Sequence, residues 1–524
     1  MISQALQHAL CDCKLKTVSL LQAAATRLES RRERGHMRKV ASKAISDAAR
    51  FGGKIRFASA LSALLLCPAL SGCGLGTERP ALSLDMPANY REAARGAPDA
   101  AVPAVDWWRG FRSGELTTLM EAAQINNLDI AVAIAQIVQA DAQVGVLGAP
   151  LLPSITGTGT TERLKSPGTQ PVSLSSLGLT ASYMVDFWGK NRATLYAAEE
   201  NASVARYNRE VVTLTTIVTV ANTYFAILAA QDQLRVAHRN LAAAERILTL
   251  IKQQFAGGTA SQLELSQQEA LVATQRASIP PLEVTLRQNI AALALLVARA
   301  PANFHVNGGS TAQIVVPRVT AGLPSQLLYQ QPAVRLAEAQ LASSNFSVEA
   351  ARAAFFPQIQ LTAATGVQSA ALASLFGPGA FFYTLSAGLT QPLFDGFLLE
   401  SELKQAKGLQ LQFLQAYRKA VLLAFTDVEQ ALVALAQFTR QEKLQTDVVA
   451  ASQKAFDTSE TQFRGGTVNL LTVLQTQQTL FTAENVLVQV RLSKLLAASS
   501  LFQALGGGWT PNGTLSSLQP QGQN

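Results

Sequence analysis

Residues 463–484 read FRGGTVNLLTVLQTQQTLFTAE, and residues 255–276 read FAGGTASQLELSQQEALVATQR. Phe, Gly-Gly-Thr, Leu, Gln and Thr recur at matching positions, at a constant offset of 208 residues. Each copy closes a stretch almost free of helix breakers, from about Trp188 to Phe255 and from about Leu398 to Phe463, the second interrupted only by Gly408. A helix of roughly 65 residues is on the order of 100 Å long at 1.5 Å per residue, too long for a globular core. Spaced apolar residues such as Leu241, Ile247, Leu248 and Ile251 predict coiled-coil packing against neighbours. Glycine at a helix end supplies a left-handed turn that reverses the chain. The repeated phrase therefore reads as the tip of a helical hairpin, spelled twice.

Four segments alternate instead with a period of two. Ser175 to Asp186 puts Leu177, Leu179, Ala181, Tyr183 and Val185 on one face and Gly178, Thr180 and Ser182 on the other. Phe382 to Leu393 sets Leu385, Ala387, Leu389 and Leu393 against Thr384, Ser386, Gly388 and Thr390. Pro357 to Gln368 sets Ile359, Leu361, Ala363 and Val367 against Gln358, Gln360, Thr362 and Gly366. Pro153 to Glu162 alternates more weakly, Thr156, Thr158 and Thr160 with Ile155, Gly157 and Gly159. Ten-residue segments, apolar on one face and polar on the other, suit an outer-membrane barrel, and Gly/Pro/Ser-rich loops at residues 165–171 and 374–379 join them as hairpins. A soluble β-domain with one buried face would carry the same pattern. Four strands cannot close a barrel, and open edges are not viable in lipid, so a membrane location requires several chains to share one barrel. Each half of the chain reads helix, strand–loop–strand, very long helix, Gly-Gly tip, returning helix. Pro153 pairs with Pro357 and Asp186 with Asp395, and the duplication covers most of residues 115–505.

The composition agrees. The chain has 524 residues, of which 48% are hydrophobic and only 15% charged, a profile of long helices packed through small side chains rather than of disorder. The net charge of +8 sits in the leader: residues 1–72 hold twelve Lys/Arg against four Asp/Glu, leaving 31 of each sign beyond. A neutral body offers no basic footprint for DNA or RNA. Arg56 precedes an apolar run of secretory length that ends Leu70-Ser71-Gly72-Cys73, the pattern of a bacterial lipobox, whose small residues admit a signal peptidase and whose cysteine thiol takes a diacylglycerol. An ordinary signal peptide with an incidental cysteine is the plainer alternative. Gly74, where Asp would favour inner-membrane retention, favours the outer membrane. The long n-region suggests that translation begins at Met37. Cys11, Cys13 and Cys67 fall in the leader, so the mature chain keeps one cysteine, which is expected to be lipidated. No internal disulfide and no cysteine metal site follow. His238 and His305 are the only mature histidines. No convergent His, Ser or carboxylate chemistry and no phosphate-binding glycine loop argue for an enzyme. Beyond Cys73 no apolar run reaches the 18 or so uninterrupted residues expected of a membrane-spanning helix; Ile217 to Ala230 comes nearest and contains Thr, Asn and Tyr.

The layout resembles the TolC/OprM family of outer-membrane factors, in its lipoprotein branch. The resemblance rests on the lipobox at Cys73; on Val105-Asp106-Trp107-Trp108 through Phe111, then Leu116 and Leu119 to Leu128-Asp129-Ile130-Ala131; on the two tips; and on LTASYMVDFWGK and LTQPLFDGF at the strand ends. It implies a mainly α fold with a membrane β-barrel: a homotrimer whose duplicated hairpins form a periplasmic α-barrel and whose four strands per chain close a twelve-stranded outer-membrane barrel. The implied segments are a leader (1–72), an anchor and linker (73–114), two repeats (115–310 and 311–505) and a tail (506–524). The implied function is a passive exit duct, with no cofactor beyond the lipid on Cys73, fed by an RND-type inner-membrane transporter through a periplasmic adaptor. Small toxic molecules and drugs are the expected cargo; secreted proteins or metal ions are the alternative. The tips, Gly257-Gly258-Thr259 and Gly465-Gly466-Thr467, are the natural adaptor-docking surface. Acidic residues often line the family's closed aperture just past the second tip, but here Thr472 and Gln475 stand in those places, three residues apart on one helix face; solvated helix residues with no part in an aperture are the plainer alternative. Glu264 in the first tip is the remaining acidic candidate. A periplasmic adaptor, also anchored and hairpin-bearing, normally has one long hairpin and lacks the four strands.

Overall fold

A computed structural model describes Tyr90 and residues 104–168, 170–317 and 324–509. The leader, Met37, Cys73 and the tail beyond residue 509 lie outside the described residues. Helices α1 (Gly114–Asn126) and α2 (Leu128–Gly148) lead into strands β1 (Ser154–Leu164) and β2 (Val172–Val185). The first long helix, α3 (Lys190–Ala256), is followed by α4 (Gln262–Ala277) and α5 (Ile279–Leu296). The second half repeats the order with α6 (Pro324–Gln330), α7 (Pro332–Ala353), β3 (Gln358–Ser369), β4 (Phe381–Thr390), α8 (Leu398–Arg464) and α9 (Leu470–Ala504). Both long helices have 67 residues.

The strands form one antiparallel sheet in the order β1-β2-β3-β4. Its register keeps the two faces that alternation predicts: Leu179 lies opposite Gly157 and Thr365, and Leu361 opposite Tyr183 and Ala387. Thr156, Thr180, Thr362 and Ser386 share the polar face. β4 ends at Thr390, three residues short of the expected Leu393. Asp186 and Asp395 prove to be anchors for the long helices. The Asp186 carboxylate accepts the backbone N–H groups of Asn191 and Arg192 (both 2.9 Å), and Asp395 accepts that of Leu399 (3.0 Å). An anion at a helix N-terminus meets unpaired donors and the positive end of the helix dipole.

Two joints recur at an offset of 204 residues. Asn127 caps α2, accepting from Asp129 N (2.9 Å) and Ile130 N (3.1 Å), while its amide donates to the carbonyl of Leu296, where α5 ends (2.9 Å). Gln331, before α7, donates to the carbonyls of Gln503 (3.4 Å) and Ala504 (3.3 Å), where α9 ends. One amide side chain thus splices the C-terminus of a returning helix to the N-terminus of an earlier one, satisfying carbonyls that have no partner within their own helix.

The main core gathers beside the first joint. Trp107 lies flat on Phe502 with centroids 4.6 Å apart, and Phe111 leans on Phe225 at 5.1 Å. The WW…F pattern is therefore the plug that ties the start of the described chain to α3 and α9. Two carboxylates clamp the connection at residues 307–311 onto this core. Glu115 accepts from Asn307 N (2.7 Å) and Gly308 N (3.0 Å), and Asp232 from Thr311 N (2.8 Å), Thr311 Oγ1 (2.6 Å) and Ser310 Oγ (2.8 Å).

Two expectations need correction. The first returning helix is not continuous: it breaks at Ser278 before Pro280 and Pro281, whereas α9 runs unbroken for 35 residues. Proline removes a backbone donor and clashes with the preceding turn. Secondly, Gly114–Leu151, Lys190–Ala256 and Leu398–Arg464 are long and apolar enough, by length and composition, to cross a membrane. Requiring an uninterrupted apolar run overlooks windows in which Ala, Val, Leu and Ile surround single Thr, Asn or Gln residues. In α3 half of that apolar window is already buried within the chain.

Candidate functional site

The two tips are closed by the same hydrogen bonds. In the first, Gly258 N donates to Phe255 O (3.0 Å) and Thr259 N to Gln254 O (2.8 Å); in the second, Gly466 N donates to Phe463 O (3.0 Å) and Thr467 N to Gln462 O (2.9 Å). This is the Schellman arrangement, which needs one left-handed residue. The second glycine of each pair supplies it: Gly258 has φ 73° and Gly466 φ 72°. Gly257 and Gly465 keep helical φ values of −82°, so only half of each Gly-Gly performs the turn expected of it. The threonine hydroxyls donate to the same carbonyls as their own N–H groups, both at 3.0 Å. All six residues, Gly257, Gly258, Thr259, Gly465, Gly466 and Thr467, are exposed.

The returning helices are capped immediately beyond. Ser261 and Glu264 form a capping box, with the Glu264 carboxylate accepting from Ser261 N (2.7 Å) and Oγ (2.9 Å). The backbone donor, helped by the hydroxyl, holds the Glu264 carboxyl below its ordinary range. Asn469 plays the serine's part in the second tip, accepting from Thr472 N (3.1 Å) and Thr472 Oγ1 (2.9 Å). Glu264 and Thr472 thus hold equivalent places in the two caps. Gln475, one turn further, is exposed, and its backbone carbonyl accepts from Thr479 Oγ1 (2.8 Å).

The fold brings the tips together. Ile247 and Ile251 of α3 join Phe456 and Phe463 of α8 and Leu470 and Val473 of α9 in one apolar cluster, with Leu265 and Val468 packed against it. Polar ties that sequence reading missed run beside it. Gln268 and Gln477 are buried, and from the two returning helices they donate to successive turns of α3, at Ala244 O (2.8 Å) and Asn240 O (3.3 Å). Glu484 accepts from Arg239 (2.8 Å), and Glu442 on α8 takes Arg491 (3.1 Å) and Lys494 (2.8 Å) from α9. Burial pushes the Glu442 carboxyl up, but Lys494 and Arg491 together outweigh it and hold it below the usual range. The signal was a glutamine at an apolar repeat position, which reads as a solvated residue until its partner helix is known. Among the described residues no group of three His, Cys, Asp or Glu is placed to hold a metal.

A sheet with one apolar face and two free edges, continued by helices on the order of 100 Å long that end in paired tips, defines a wall segment of a channel that several copies complete. The chain belongs to the outer membrane efflux protein family, whose model matches residues 119–299 and 323–507. It is 37% identical over 462 residues, 86% of this chain and 97% of the relative, to the pyoverdine export outer membrane protein OpmQ of Pseudomonas aeruginosa. It is 28% identical to the cation efflux system protein CusC of Escherichia coli, over 84% of this chain and 97% of that protein. The crystal structure of the Campylobacter jejuni CmeC outer membrane channel superposes with a TM-score of 0.78 at 22% identity, covering 84% of this chain and 96% of that one. The protein is thus an outer-membrane efflux duct and not an enzyme, and its sheet is one chain's share of the trimeric, twelve-stranded barrel of this fold.

Proposed function

We propose that the duct carries small organic molecules, handed to it by an RND-type inner-membrane transporter and a periplasmic adaptor that docks on the two tips. The observation behind the docking surface is the matched pair of exposed Gly-Gly-Thr turns, packed side by side, in which no side chain is larger than threonine. Gly466→Trp should weaken cross-linking to the adaptor; unchanged cross-linking would count against the tips. The small-molecule reading is supported by the polar face of the sheet, where Thr, Ser, Gln and Gly dominate and Glu162 is the one charged residue among the paired positions. Such a lining suits uncharged and charged cargo alike, and the relative named for pyoverdine export makes pyoverdine the first compound to try. Export of metal ions, supported by the name of CusC, is the second reading. A deletion strain should accumulate dyes and antibiotics, or retain pyoverdine, and the wild-type gene should reverse this. Normal accumulation with a missing secreted protein would overturn the reading in favour of protein export.

Lipidation of Cys73 belongs to the same proposal. Mass spectrometry of the mature amino terminus should find an acylated cysteine, and an unmodified thiol would refute it.

A further inference from the structure

β1 and β4 are the free edges of the sheet, and the duplication relates β1 to β3 and β2 to β4. The offset on the first side is 204, set by the joints Asn127 and Gln331 and by the strand starts Ser154 and Gln358. On the second it is 208, set by the starts Lys190 and Leu398 and the ends Ala256 and Arg464 of the long helices. The hairpins obey both offsets, because Ser154 opposite Ser182 maps onto Gln358 opposite Thr390. The β2–β3 junction, with Val185 opposite Ile359 and Ala181 opposite Ala363, is where one repeat meets the other.

We infer that β4 pairs with β1 of the next copy in the register this internal junction dictates, with Leu393 opposite Ile155, Leu389 opposite Gly159 and Ala387 opposite Thr161. Three observations converge on it. β2 runs past the end of its hairpin partner, to Val185, because β3 holds it there. The corresponding residues 391–393 have no strand beside them, so β4 stops at Thr390 and Leu393 is 94% exposed. The backbone directions also fit. Gln368 N donates to Ala380 O, so even-numbered residues of β4 turn their backbone groups to β3 and odd-numbered ones to the free edge. Pro392, which lacks an N–H, is even, so the edge keeps its donors at Gln391 and Leu393. Finally, on the apolar face Leu389 of β4 falls directly opposite Gly159 of β1, and Leu389 and Leu393 are the diagonal neighbours of Gly157. Large residues on one edge thus fill the space left by the glycines of the other.

The inference rests on the multi-copy barrel and not on the cargo, so its test and the accumulation assay fail separately. No cysteine lies between residues 74 and 524. In this register Thr158 of one copy lies opposite Thr390 of the next at a pair not joined by hydrogen bonds, where Cα atoms are about 4.5 Å apart, while a shift of two residues moves them to about 7–8 Å. A disulfide needs Cα atoms within about 7 Å. Thr158→Cys with Thr390→Cys should therefore cross-link into covalent dimers and trimers in outer membranes, at least tenfold faster than Thr156→Cys or Thr160→Cys with the same partner. Gly388→Cys with Thr160→Cys tests the same register should the first pair fail to assemble. Faster linkage of a shifted pair, or no linkage in any assembled variant, would overturn it.

Discussion

Asn127 offers a sharp test of the joints. It is 3% exposed and makes three hydrogen bonds, two as the cap of α2 and one to Leu296 O. Asn127→Ala removes an N-cap, at about 1 kcal/mol, and strands a carbonyl at the end of α5, at about 1–3 kcal/mol, for a total of about 2–4 kcal/mol. Gln331→Ala should cost less, about 1–2 kcal/mol. The Gln331 side chain makes no cap of its own, Pro332 after it has no N–H to satisfy, and its bonds to Gln503 and Ala504 are the longer ones. Asn127→Ser separates the two contributions, since its hydroxyl keeps the cap acceptor and is too short to donate to the Leu296 carbonyl; it should fall between wild type and Asn127→Ala. The assay is denaturant unfolding of the purified protein in detergent, followed by helical circular dichroism. If Gln331→Ala destabilises as much as Asn127→Ala, or if Asn127→Ala costs less than about 0.5 kcal/mol, then the splice bonds are incidental to helices held by packing alone.

Further outcomes follow from the tips and their ties. Gly258→Ala and Gly466→Ala place a side chain in the left-handed region with nothing near the new Cβ, so the cost is conformational, about 1–2 kcal/mol; amides of the closing turn should exchange roughly 5–30 times faster. Gly257→Ala and Gly465→Ala, at helical φ, should leave exchange unchanged. Because the Glu442 carboxyl is held low, its contribution is present above its ordinary value of 4.5 and is lost as pH falls through the lower folded value. Glu442→Gln should flatten the acid limb of stability against pH, and an unchanged limb would refute the triad. Gln475→Asp should raise cation selectivity in bilayer conductance if its side chain lines the closed aperture; unchanged selectivity would remove it from that role.

How much of this was legible depended on whether a residue's role is local. The long helices and tips were, because breakers and Gly-Gly-Thr act on their own turns; the long helices end within about two residues of where the sequence places them. The strand faces were legible too, since a period of two fixes them without knowledge of any neighbour. Asp186 and Asp395 were visible as a repeated pair, but not as caps, because a cap is defined by a helix start uncertain by a few residues. The joints were invisible: Asn127 and Gln331 share no residue type, and each bonds to a carbonyl about 170 positions away. Gln268 and Gln477 look like solvated helix residues until α3 is laid beside them. The end of β4 was overestimated for the opposite reason, since alternation continues through Leu393 while the ladder that would extend the strand belongs to another chain.

The equal length of α3 and α8 sets a rule for how such a chain can change. Both helices start from an aspartate-anchored end beside the same sheet and end in tips that share one apolar cluster. Seven residues removed from one helix would keep its apolar stripe nearly in phase but draw its tip back by about 10 Å. The remaining tip would then stand alone, its half of the cluster facing water. Growth or shortening of the tube therefore has to be written into both halves at once, and the two 67-residue helices act as a pair of gauges that hold each other to one length.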